Sequence, residues 1–115
     1  MKDEKLLIEI SNSLKIIVWS YLRDLHNKNK DVIEKIKKSK TKKQVWDLCD
    51  GNHCREDIAI ELQKDPTTIG DHLKPMFEEN IIFVKAKGNK KMIISLDILV
   101  ANIFDSIDWE IKSEI

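Results

Sequence analysis

Turn-forming residues are scarce in this chain of 115 residues, which holds three glycines and two prolines. So few excludes an all-β fold, whose many short strands need a turn about every 8–12 residues. Charge of one sign is also missing, because Lys+Arg and Asp+Glu both number 20. The whole-chain balance therefore favours neither nucleic acid nor a membrane surface. No long apolar run is present either. The N-terminal stretch "LLIEISNSLKIIVW" is interrupted by Glu9 and Lys15 and has no small-residue cleavage site, so it reads as neither a signal peptide nor a membrane span. A cytoplasmic protein with no membrane partner is expected.

The two cysteines, Cys49 and Cys54, are too few and too close for a secreted disulfide framework. With His53 they invite a zinc site, but they form no C-x-x-C pair, and structural cysteines with no metal are expected. Cys54 precedes a helix, where a thiol either caps inertly or becomes a redox-sensitive thiolate. Catalytic patterns are absent too. There is no glycine-rich phosphate loop, no nucleophile beside a recognisable base and no carboxylate pair in an expected cleft, so neither an enzyme nor a cofactor is expected.

What is present is an ordinary globular composition, 42% hydrophobic and 35% charged, in a chain long enough for one core. Neutrality is a sum of opposite blocks. Lys28 to Lys43 holds eight lysines against Asp31 and Glu34, Asp47 to Asp65 holds six acids against Arg55 and Lys64, and Asp97 to Ile115 holds five acids against Lys112.

Leu7, Ile10, Leu14, Ile17, Tyr21 and Leu25 recur at steps of three and four, widened by Leu6, Val18 and Leu22, which predicts a helix over about 3–26. A shorter helix carries Val32, Ile33 and Ile36. Thr41, three residues before Gln44, has capping-box spacing and predicts a helix burying Val45, Trp46 and Leu48, closed by "DGN". Cys54 and Asp57 open the next helix, with Ile58, Ala59 and Leu62 inward. Asp65 caps the one after, with Pro66 in its first position and Ile69, Leu73 and Met76 or Phe77 inside. Pro75 should bend or loosen that helix. "IIFVKAKGNKKMIISL" predicts a hairpin turning at Gly88 and Asn89. Leu96 to Ile115 returns to helical spacing through Leu99 or Val100, Ile103, Ile107, Ile111 and Ile115.

A mainly α fold with a small β-hairpin (α+β) follows. Its order of helix, helix, turn, helix, hairpin, helix is that of a winged helix-turn-helix with extra terminal helices. One domain is expected, divided into N-terminal helices (1–40), a winged helix-turn-helix core (41–96) and a C-terminal helix (97–115).

"DGNHCREDIAIELQKDPTTIGDHLKPMFEENIIF", Asp50 to Phe83, resembles the core of ArsR/MarR-type winged-helix regulators of the kind common in archaea. Those proteins show a capped "E-[IL]-A" helix, then "T-[VI]-x-x-H-L", then "G-[LI]-[VI]". The resemblance covers about Thr41 to Leu96. Gln63 and Asn80 stand where glycine is usual, Lys64 where an apolar residue is usual, and Asp71 where arginine or a polar donor is frequent. His72, at the motif's histidine position, is expected to be partly buried and hydrogen-bonded.

The resemblance implies double-stranded DNA as partner. The second helix of the pair would present Thr67, Thr68, Gly70, Asp71 and Lys74 to a major groove, with Gly70 allowing close approach. Lys85, Lys87, Lys90 and Lys91 on the wing either lie along phosphates or keep an exposed sheet edge soluble. The lysine run from Lys28 to Lys43 is expected to face water. The apolar series of the terminal helices exceeds what a small core needs, and either forms a homodimer or folds back over the core. A sequence-specific DNA-binding transcription regulator is the leading expectation. The other is a winged-helix module that binds protein.

Overall fold

The computed structural model describes residues 2–108. In chain order these form α1 (Lys2–Lys28), α2 (Lys30–Lys38), α3 (Lys40–Asp47), β1 (Asp50–His53), α4 (Arg55–Leu62), α5 (Pro66–Glu78), β2 (Ile82–Lys87), β3 (Lys90–Ser95) and α6 (Leu96–Ser106). The protein is thus mainly helical with a small antiparallel sheet. No helix among the described residues is long and apolar enough to cross a membrane.

The centre of the core draws one branched side chain from almost every short element. Val45 of α3, Ile58 of α4, Ile69 of α5, Ile81 before β2 and Leu96 of α6 are all fully buried. Each such side chain stabilises the fold by about 1.5–3 kcal/mol through removal from water. Of the inward residues expected for α4, Ile58 and Ala59 are buried and Leu62 is partly buried against the core; in α5, Ile69, Leu73 and Met76 are buried as expected. Phe77 stays partly exposed.

Both helices end in the same way. The Lys64 N–H reaches Ala59 O at 2.9 Å and the Gln63 N–H reaches Ile60 O, while the Ile81 N–H reaches Met76 O at 3.1 Å and the Asn80 N–H reaches Phe77 O. These paired bonds close a helix when the intervening residue turns left-handed. Gln63 and Asn80 do so, with φ of 55° and 58°. The two positions where glycine was expected therefore keep glycine's conformation with other side chains. Pro75 does not stop α5, which runs on to Glu78.

Four expectations are corrected. The helix containing Val45 starts at Lys40 behind Ser39, so Thr41 lies inside its first turn and is not its cap. Leu48 is its C-cap and only half-buried. "DGN" does more than end that helix, because Asp50–His53 forms a third strand. The sheet order is β1-β3-β2, with Asp50 opposite Ile94, His53 opposite Ile93 and an irregular register between. Finally, α6 ends at Ser106 and Ile107 is extended (φ −80°, ψ 133°), though buried at 6% exposure. Ile111 and Ile115 lie outside the described residues.

The early end of α6 has a visible cause. Buried Asn12 of α1 donates from Nδ2 to Asp108 O at 2.8 Å and accepts the Asp108 N–H on Oδ1 at 3.0 Å, holding that backbone away from helical bonding. From there α6 runs antiparallel along α1. Lys15 Nζ donates to Ser106 O, the Trp19 ring lies 5.4 Å from Phe104, and His26 Nε2 meets Asp97 Oδ1. Asn12, Trp19 and His26 are seven residues apart, two turns of helix, and so share one face. Within its own chain α6 thus lies along α1, while its Leu99, Val100 and Ile103 are partly buried against the core.

Candidate nucleic-acid interface

The local sequence determines which side of α5 faces out. Asp65 Oδ1 accepts the Thr67 N–H at 2.8 Å, Pro66 occupies the first position, and Ile69, Leu73 and Met76 anchor the inner face. Helical spacing then leaves Thr67, Asp71, Lys74 and Glu78 as the outward ridge, with Thr68 beside it, and all five are exposed. Glu78 is a second acid on this ridge that sequence reading did not single out. Gly70 lies on the flank toward α4, where a Cβ would sit 3.6 Å from Arg55 Cδ and 3.7 Å from its guanidinium nitrogen.

Arg55, also missed, thus covers that flank of α5 while its guanidinium meets Glu56 Oε1 at 3.1 Å. It is the single arginine between Thr41 and Leu96, a signal the sequence did offer. On the other flank an open cleft of about 400 Å³ runs between α5 and the preceding helices, floored by Ile36, Met76 and Ile81. Lys35 and Lys42 border it opposite Asp71, half-buried His72 and Glu79. These two members of the lysine run lie beside α5, which the spacing of α2 and α3 alone could not reveal.

The hairpin turns at Gly88 (φ 64°) and Asn89, with Lys87 opposite Lys90, Ala86 opposite Lys91 and Lys85 opposite Met92. All four lysines are exposed. The tip adjoins the first turn of α4, where Lys90 and Lys91 share a cleft with Cys54 and Asp57. Two lysines already have company. Lys87 Nζ donates to Asn52 Oδ1 at 3.3 Å, and the charge of Lys90 is felt at Asp57. The Asp57 carboxyl is held below its usual range chiefly because it accepts the Cys54 N–H, as expected of the capping pair, at 3.1 Å.

Behind the hairpin, His53 Nδ1 lies 2.9 Å from Asp50 Oδ1 and its Nε2 3.6 Å from Glu61. The hydrogen bond that the imidazole donates to Asp50 raises its pKa against the opposing effect of burial, with Glu61 adding to the rise. Cys49 is buried with its thiol on Val45 O at 3.2 Å, and burial, helped by Asp50, pushes it up to about 12. Its thiol stays protonated and unreactive at neutral pH.

The structure gathers Thr67, Thr68, Asp71 and Lys74 into one exposed surface, with Gly70 on its flank; of the hairpin lysines it sets Lys85, Lys87 and Lys90 on one face and Lys91 on the other. No family model matches the chain, and no curated protein or solved structure does either.

Proposed function

We propose that the chain is a winged helix-turn-helix protein that binds double-stranded DNA sequence-specifically, as a homodimer, to regulate transcription. The observation carrying this reading is the exposed ridge of α5, braced by α4 and flanked by Arg55 on one side and by Lys35 and Lys42 on the other. A helix so presented fits a major groove while cations on its flanks and on the hairpin meet phosphates. Thr67 and Thr68 would bond bases or phosphates, and Lys74 a phosphate or a guanine edge. Asp71 would repel phosphate more than it reads a cytosine amine.

Titrating salt against binding to duplex DNA tests the reading. Phosphate contacts release counterions, so affinity should fall steeply as salt rises. Replacing Lys87, Lys90 and Lys91 by alanine should flatten that slope by up to about three units and weaken all sequences alike. Asp71→Ala should tighten binding to every duplex, most at low salt. One observation favours a protein partner instead: Asp71 and Glu78 make the ridge more acidic than basic. Failure to bind any duplex, selected or random, would transfer the scaffold to that role.

A further inference from the structure

The cleft beside α5 has three kinds of lining. Ile36 of α2, Met76 of α5 and Ile81 make an apolar floor, Lys35 and Lys42 stand on the side of α2 and α3, and Asp71 and Glu79 stand on the side of α5. The opposing charges do not meet. Among the described residues, none of these four side chains has an ion-pair or hydrogen-bond partner, and half-buried His72 on the α5 side lacks the hydrogen bond expected of it.

Local sequence accounts for the acidic side. Asp71, Pro75 and Glu79 recur at steps of four and so share one face of α5. Pro75 has no N–H, which leaves the Asp71 carbonyl without its helical donor and sets a backbone acceptor beside the two carboxylates. The basic side is drawn from two helices that part at extended Ser39. At about 400 Å³ the cleft has the size of a small-molecule site, roughly 300–1,000 Å³, and its make-up too, an apolar bed with a few polar groups that fix orientation.

We propose that the cleft binds a bulky apolar α-amino acid. Such a molecule carries an ammonium, a carboxylate and an apolar side chain on one carbon, so its three groups diverge as the acids, the lysines and the floor do. The ammonium donates to the Asp71 or Glu79 carboxylate and to the Asp71 carbonyl, the carboxylate accepts from Lys35 and Lys42, and the side chain lies on Ile36, Met76 and Ile81. Charge decides against simpler ligands. An apolar acid would bring its carboxylate up to Asp71 and Glu79 with nothing to offset the repulsion, and an apolar amine would meet Lys35 and Lys42 in the same way. This site requires neither DNA nor a second copy of the chain.

Calorimetric titration of the full chain with L-leucine and with L-phenylalanine, in the absence of DNA, should show one site for at least one of them. The tighter binder is then compared with its N-acetyl derivative, which has no ammonium, with its decarboxylated amine, and with glycine, which has no side chain. Each should bind about ten-fold more weakly or worse, since each gives up one of three contacts. Lys35→Gln with Lys42→Gln, and separately Asp71→Asn with Glu79→Gln, should cost a similar factor at unchanged circular dichroism, because all four side chains are exposed. Should a variant misfold, the three analogues on the parent chain still decide. Binding of neither amino acid, equal binding of any analogue, or full affinity in either folded double variant would each overturn the proposal. A chain that holds the amino acid yet binds no duplex would fail only the earlier reading.

Discussion

Asn12 and Asp108 exchange two hydrogen bonds, at 2.8 and 3.0 Å, across 96 positions of sequence. One buried amide thereby clamps the far end of the chain to α1. Asn12→Ala should cost about 1–3 kcal/mol, the worth of two such bonds, read as a lower urea midpoint at unchanged slope. An unaltered midpoint would mean that the α6–α1 stack holds without this clamp.

The linkage between β1 and α4 should be sensitive to pH. His53 has a raised pKa in the fold, so its contribution is complete below the unfolded value near 6.5 and is lost as pH rises through the folded value. Urea midpoints should therefore fall across that interval in the parent and less so in His53→Gln. Asp97 acts at the other extreme. Burial alone would raise its pKa, but hydrogen bonds from Lys37 (2.9 Å) and His26 lower it, so its contribution is lost only as pH falls through the folded value below about 4.

Gly70→Ala should raise stability by up to about 1 kcal/mol, because a methyl there meets only Arg55 at ordinary contact distance and alanine favours helix. If α5 closes on a DNA backbone at this point, the same substitution lowers affinity. Thermal unfolding and duplex titration on one preparation give opposite signs in that case, and higher stability with unchanged affinity if Gly70 serves no contact.

The left-handed residues after α4 and α5 offer a graded test. Gln63→Gly should stabilise the chain by about 0.5–1 kcal/mol, relief of left-handed strain exceeding the flexibility gained on unfolding. Asn80→Gly should change it less, because asparagine tolerates that conformation. Equal midpoints for both variants would argue against stored strain at Gln63.

These examples also separate what local sequence reveals from what it conceals. Caps and inner faces of α4 and α5 were legible because Asp57, Asp65, Pro66 and the isoleucines act within a few residues of themselves. Strand β1 was not, since "DGNH" has no apolar alternation and becomes a strand only through β3. The end of α6 was hidden for the same reason, as it depends on Asn12 at the other end of the chain. The α1 stripe was visible as a whole, but its division into two faces was not, because the covered face includes polar Asn12 and His26. At the site, the ridge of α5 was readable from spacing. Lys35 and Lys42 join it through the packing of separate helices, which no spacing encodes.

No residue separates β3 from α6: the strand ends at Ser95 and the helix begins at Leu96, with Ser95 Oγ accepting the Ile98 N–H at 3.4 Å. Strand and helix are further pinned where the Ser95 N–H reaches Cys49 O at 2.7 Å and the Leu96 N–H reaches Ile81 O at 2.8 Å. No slack segment thus lies between the hairpin and the contacts of Asp97 and Phe104, on α6, with His26 and Trp19 of α1. Hairpin and α6 therefore meet at Ser95 with no linker between them, and α6 in turn lies along α1.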